Sequence, residues 1–198
     1  ATLSLMIIIF YGGFGTNWTM GRSTARESIS LASLGVFATA ILTGLFCHYI
    51  LKIEFLESML LGSVVASTDY AAVSNILVSK NLNLKYSTAP LLEIESGSND
   101  PTAYTMTMVF LSLLSGYSVS VPLIILQQVV LGIIGGFLLG FIFIKLIEIL
   151  SLDEDGLFSV FIATMMIGTY ALTSLAGGNG FLALYILGIY IGNHEFRR

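Results

Sequence analysis

Residues 93–101 read EIESGSNDP, a dense polar run in a chain that is otherwise apolar. The run opens directly into Tyr104–Leu114, an apolar helical stretch, and a second interruption, Ser67-Thr68-Asp69, sits in the middle of the preceding apolar segment. Ionisable side chains at the centre of a bilayer cost about 2.5–3.5 kcal/mol or more, so they are kept where they do work. Two such interruptions in consecutive segments point to one shared polar site in the membrane core.

The composition fixes the setting. Of 198 residues 56% are hydrophobic and only 10% charged, with a mean hydropathy of +0.91. Soluble domains carry roughly 25% charged residues, so this is the composition of an integral membrane protein. A net charge of -4 and the lack of any basic run exclude a nucleic-acid partner. The single Cys47 excludes an intrachain disulfide and reads as a small apolar residue. No cleavable signal-peptide pattern stands at Ala1, and the chain starts inside an apolar run and stops just after Arg198. The expectation is a partial transmembrane domain over 1–198, cut from a longer protein at both ends.

Seven apolar segments can be drawn: about Ala1–Gly15, Ile29–Ile50, Glu57–Val78, Thr88–Ser115, Val121–Leu150, Leu157–Leu175 and Gly180–Gly192. Several approach the ~20 residues that cross the hydrocarbon. Charge placement tests the count. With seven crossings, the loops after segments one, three, five and seven share a side and hold Arg22, Arg26, Lys80, Lys85, Lys145, Arg197 and Arg198, leaving only Lys52 opposite. Cytoplasmic loops are rich in Lys and Arg, so those loops are expected to be cytoplasmic. The fold class is therefore an all-α membrane protein, a polytopic helical bundle. Trp18, Tyr49 and Tyr117 suit interfacial anchoring, and His48 and His194 lie near segment ends. Gly132, Gly135, Gly136 and Gly140 form a small-residue stripe that reads as a packing face. Gly177-Gly178-Asn179-Gly180 reads as a turn.

Thr68-Asp69 and Asn99-Asp100 fall at matching depths in their segments. Pro101 has no amide hydrogen and crowds the carbonyl of Gly97, which predicts a distorted helix with released carbonyl oxygen near Asp100. Carboxylate, amide, hydroxyl and carbonyl oxygens are hard ligands suited to an alkali cation, and broken helices at mid-depth are how transporters hold a coupling ion. Ser96 and Asp100 are i,i+4 neighbours and point together, while Glu95 and Asn99 pair on an adjoining face. Glu95 is expected to turn away from the ion and to need a cationic partner from outside these residues. Ser67, Ser98 and the other hydroxyls taken singly read as packing glue. Asp69 is balanced between capping a helix fragment and binding the ion. Asp100 is different: a mid-membrane carboxylate with no cationic neighbour needs a proton or a bound metal ion.

Four stretches carry a family likeness. Phe10–Thr16 (FYGGFGT), Leu61–Val73 (LGSVVASTDYAAV), Glu93–Pro101 (EIESGSNDP) and Gly177–Asn193 (GGNGFLALYILGIYIGN) resemble the monovalent cation/proton antiporters. The likeness is nearest to the bacterial NhaP-type branch, associated with potassium/proton exchange and cell-volume regulation, and it runs along nearly the whole chain. It implies part of an inverted-repeat fold with a broken helix, a mobile core domain and a dimerisation domain, hence a homodimer. It implies a cation/proton site at Asp100 with Asn99, Ser96, Thr68 and Asp69, structural support from Glu95, and no cofactor beyond the transported K+ or Na+ and H+. Asn99 in place of a second aspartate implies electroneutral one-for-one exchange. The setting implied is the bacterial inner membrane, with the lipid bilayer as partner. Two residues depart from the pattern as possible modifiers: Tyr11, where relatives often carry an acid, and Tyr70, where they carry a small alanine.

Two other classes compete on the residues alone. Intramembrane aspartyl proteases use two aspartates on adjacent spans, but need Tyr-Asp and Gly-x-Gly-Asp pairs where this chain has Thr68-Asp69 and Ser98-Asn99-Asp100. A cation channel would need a continuous pore, which one polar site between broken helices does not favour.

Overall fold

The computed structural model describes residues 2–16, 18–69, 88–116, 120–150 and 155–194. Among them the chain forms α1 (Thr2–Gly15), a single turn α2 (Trp18–Gly21), α3 (Ala25–Tyr49), α4 (Phe55–Val65), α5 (Thr88–Leu114), α6 (Val121–Leu150), α7 (Asp155–Leu175) and α8 (Gly180–Gly192). Three described stretches are long and apolar enough to cross a membrane: Ala25–Tyr49, Val121–Leu150 and Leu157–Leu175. Seven of these helices follow the seven apolar segments of the sequence, and α6 and α8 coincide with theirs. Three starts move earlier. α4 begins at Phe55 ahead of Glu57, and α7 at Asp155 ahead of Leu157. α3 begins at Ala25 ahead of Ile29, so Arg26 and Glu27 belong to its exposed first turn rather than to a loop.

Clustering of the backbone divides the chain into two compact units. One holds α1 and everything from Gln127 onward, the other runs from Thr19 to Leu126.

The first unit is built on glycine. A methyl group built on Gly188 of α8 would lie 2.5 Å from the Phe10 carbonyl oxygen of α1, and one on Gly192 would lie 2.2 Å from that of Phe14. The two backbones touch because neither residue has a side chain, the small-xxx-small device of membrane helices. The α6 stripe serves the same end: methyls on Gly132, Gly136 and Gly140 would meet Leu182, Ile186 and Tyr190 of α8, while Gly135 faces Thr173 of α7. The opposite side of α6 exposes Ile133, Ile134, Phe137, Leu138 and Phe141, an apolar surface suited to hydrocarbon.

Gly177–Gly180 is a constructed helix start. Gly177 takes φ +82°, a conformation glycine adopts freely, and the buried Asn179 caps α8 with Oδ1 accepting from the amides of Phe181 (3.0 Å) and Leu182 (3.1 Å). The Asn179 amide itself donates to the Gln128 carbonyl at 3.0 Å. Asn179→Ala removes the cap and leaves two buried amides unmet, so thermal unfolding of the full-length protein in detergent should report a loss of about 1–2 kcal/mol.

In the second unit α3, α4 and α5 pack on one another. α3 and α4 form a hairpin whose tight turn puts Lys52 at φ 60°. His48 Nδ1 lies 2.9 Å from the Ile53 carbonyl in that turn. Gly62 of α4 sits directly on α3, where a methyl would lie 2.2 Å from the Ala40 carbonyl oxygen. α3 also contains a wide π turn, Leu31–Gly35, whose Ala32 is buried. Val36 and Ala40 of α3, Ala66 after α4 and Ala103 and Met106 of α5 make the apolar core.

Candidate ion-binding site

Helix α4 stops at Val65, and Ala66–Asp69 continue without helical structure. The helix-break is therefore here. Around Gly97–Pro101 the chain does not unwind: α5 runs on through Pro101. Proline deletes one backbone bond, to the Gly97 carbonyl, and the turns on either side carry the helix past it. Thr105 Oγ1 donates to the Pro101 carbonyl at 2.9 Å, one turn on.

The non-helical Ser67-Thr68 lies against Glu95–Asp100 of α5 and is stitched to it by side chains. Ser67 Oγ donates to Asp100 Oδ1 and reaches Asn99 Oδ1 at 3.2 Å. Asn99 Nδ2 donates to Thr68 Oγ1 and, at 3.3 Å, to Glu95 Oε1. A carboxylate only accepts, so the amide nitrogen must face Glu95 and the amide oxygen Ser67. Thr68 Oγ1 and Ser96 Oγ are 3.2 Å apart, and Ser96 Oγ donates to the Thr68 carbonyl at 3.3 Å. Asn99 and Ser96 are buried. Asp69 ends the described part of this segment and is exposed.

The structure thus brings together Thr68, Ser96, Asn99 and Asp100, four of the five residues expected to bind the ion, with Asp69 at the edge. Among the described residues the side-chain partner of Glu95 is the Asn99 amide, one turn along the same helix. Its support acts through Asn99. Glu95→Ala should lower the melting temperature of the full-length protein, by about 1–3 kcal/mol in stability, more than it shifts the apparent cation constant.

Ser67 is the residue the sequence undervalued. It reads there as packing glue, yet it is the described side chain that donates to Asp100. Ser98 bonds back to the carbonyls of Ile94 and Glu95 in its own helix rather than across to another. Tyr11 is 70% exposed on α1, in the unit without the polar cluster. Tyr70 lies outside the described residues. The oxygen set of three hydroxyls, an amide, a backbone carbonyl and carboxylates suits a hard monovalent cation, and among the described residues no group of His, Cys, Asp and Glu forms a transition-metal site.

Comparisons with known proteins agree with this setting. A family model described as "Sodium/hydrogen exchanger, transmembrane" matches residues 1–198. The K(+)/H(+) antiporter NhaP of Alkalimonas amylolytica is 37% identical over 195 residues, covering 97% of this chain and 34% of that protein. The K(+)/H(+) antiporter NhaP2 of Shewanella sp. (strain ANA-3) is 35% identical over 202 residues, covering 100% of this chain and 35% of its own length. The chain thus spans about a third of these relatives. A solved sodium proton antiporter from Methanocaldococcus jannaschii superposes with a TM-score of 0.81 at 24% identity, over 97% of this chain and 48% of that one. That likeness gives part of an inverted-repeat helical fold. These are transporters and not enzymes, which removes the aspartyl protease from consideration. The chain belongs, over its whole length, to the transmembrane sodium/hydrogen exchanger family.

Proposed function

We infer that this chain carries the ion-handling segment of a secondary antiporter that exchanges a monovalent cation, K+ or Na+, for protons. The observation that supports it most is the pairing of Asp100 on α5 with the non-helical Ser67-Thr68, which gathers hard oxygen ligands around one carboxylate. A charge withdrawn from water must be neutralised, so Asp100 carries either a proton or a cation, and the two compete. Presenting the carboxylate to each side of the membrane is cheap when it is loaded and costly when it is empty. Exchange is coupled by that difference.

Asn99, a neutral amide, leaves one titrating group at this point of the helix, which supports one-for-one exchange. Thr68, Ser96, Asn99 and Asp69 supply the remaining oxygens for the ion, and Glu95 holds Asn99. The unit of α3, α4 and α5 is the ion-carrying part, and the protein works as a homodimer in a bacterial inner membrane, with the loops after segments one, three, five and seven cytoplasmic. Potassium is the favoured cation because the relatives NhaP and NhaP2 are named for K(+)/H(+) exchange. The test is proton flux in vesicles reconstituted with the full-length protein, driven in turn by potassium and sodium gradients. Cation-dependent alkalinisation that persists when the membrane potential is clamped supports the reading. Current without proton movement would mean a channel and overturn it.

A further inference from the structure

We propose that Ser67 is a positioning residue that stabilises Asp100 only while its site is unloaded, and so weakens cargo binding to let cargo leave. This rests on the antiport reading. The Ser67 hydroxyl has one hydrogen and faces two acceptors, Asp100 Oδ1 and Asn99 Oδ1, the latter at 3.2 Å. The Asn99 oxygen is fixed as an acceptor because its nitrogen serves Glu95 Oε1 and Thr68 Oγ1. One proton satisfies one acceptor at a time. A charged carboxylate holds it, since charge-assisted hydrogen bonds are roughly twice as strong as neutral ones. Once a cation or proton neutralises Asp100, that preference goes, and rotation about the Cβ–Oγ bond gives the hydrogen to Asn99.

The surroundings leave Ser67 this freedom. Ser67 lies past the end of α4, so unlike Ser28 and Ser98 it is not committed to a carbonyl one turn back. Among the described residues it is the side-chain donor to Asp100. Among the described residues, the other ionisable groups at this edge are the carboxylates of Asp69 and Glu95. The neighbouring core positions of α3, Val36 and Ala40, are apolar, and the charges of its first turn, Arg26 and Glu27, are exposed.

A donor that favours only the empty state has a distinctive signature. Its loss tightens cation and proton binding by the same factor. In vesicles carrying full-length Ser67→Ala, the apparent constant for the driving cation should fall about tenfold at alkaline pH, where protons do not compete. The maximum rate should fall with it, because release slows. At acidic pH, where the proton competes throughout, the two gains cancel and the constant should match wild type. Ser67→Thr keeps the hydroxyl and should restore wild-type behaviour. Ser67→Cys, of similar volume and a weak donor, should shift the constant in the same direction by less, and it decides the matter if the alanine protein does not reach the vesicles.

An alkaline constant that rises would make Ser67 a permanent cation ligand and overturn the proposal. An unmoved constant would make it packing and overturn it equally. Asp100→Asn in the same preparation separates the two levels. If it is inactive while Ser67→Ala is unchanged, only the role of Ser67 falls. If it still exchanges, the antiport site itself is misassigned and the Ser67 proposal falls with it.

Discussion

Asp100→Asn in the full-length protein should reduce cation-driven proton flux at least about a hundredfold, to the level of empty vesicles, while the protein remains inserted and folded. The two side chains are nearly isosteric, and an asparagine oxygen still accepts from Ser67 as Asp100 Oδ1 does. The hydrogen bonds of Asn99 to Thr68 and Glu95 do not involve residue 100 and should survive. What disappears is the one property the mechanism needs, a group that binds a proton in one half of the cycle and a cation in the other. An amide does neither at useful strength, and because it is never charged the coupling penalty on the empty site vanishes as well. The measurement is dequenching of a pH dye after cation addition, with insertion checked by size-exclusion behaviour and melting temperature. Wild-type flux from a well-folded Asn variant would remove Asp100 from the centre of the mechanism. A variant that fails to insert would instead make Asp100 structural, which fits poorly with a donor, Ser67, that comes from a non-helical segment.

The sequence disclosed the helices, the position of the polar site and most of its members, each for a physical reason. Apolar length marks a span wherever nothing polar interrupts it, which is why α6 and α8 agree with their segments to the residue. The i,i+4 spacing of Ser96 and Asp100 correctly set both toward the preceding segment, because α5 is a regular helix and regular helices obey that spacing. Local reasoning failed at Pro101, where a strong local breaker is outweighed by the turns around it. It succeeded for Glu95 and Asn99, whose i,i+4 spacing puts them within reach of each other. Ser67 was out of reach for another reason. Read singly, a serine hydroxyl in such a segment is packing glue between helices, as Ser28 is where it reaches the Leu91 carbonyl at 3.1 Å. Only knowledge that α4 stops at Val65 shows that Ser67 must find its partner across the gap.

Packing that holds this gap open leads to the second large effect, expected from Gly62→Ala. A single methyl would lie 2.2 Å from the Ala40 carbonyl oxygen and 2.9 Å from the Gly44 nitrogen, both backbone atoms of α3 that cannot swing aside. The hairpin must open instead. Overpacking of this kind costs about 1–3 kcal/mol, and here the displacement falls close to the site, because Gly62 lies one turn before Ala66, which packs on Val36 and Ala40. Moving α4 away from α3 carries Ser67 and Thr68 with it, so their hydrogen bonds to Asp100, Asn99 and Ser96 lengthen together. Gly62→Ala should therefore lower the melting temperature and also depress exchange in the protein that remains folded. Gly35→Ala and Gly168→Ala are the controls, since a methyl at either has nothing within 4 Å. In a helix interior alanine is favoured over glycine by up to about 1 kcal/mol, so both controls should be neutral or more stable and should exchange normally. Melting curves and flux measured on the three full-length variants decide it. If Gly62→Ala is as well tolerated as the controls, the α3–α4 contact is looser than the close approach of Gly62 to Ala40 requires, and the placement of Ser67 and Thr68 against α5 does not depend on it.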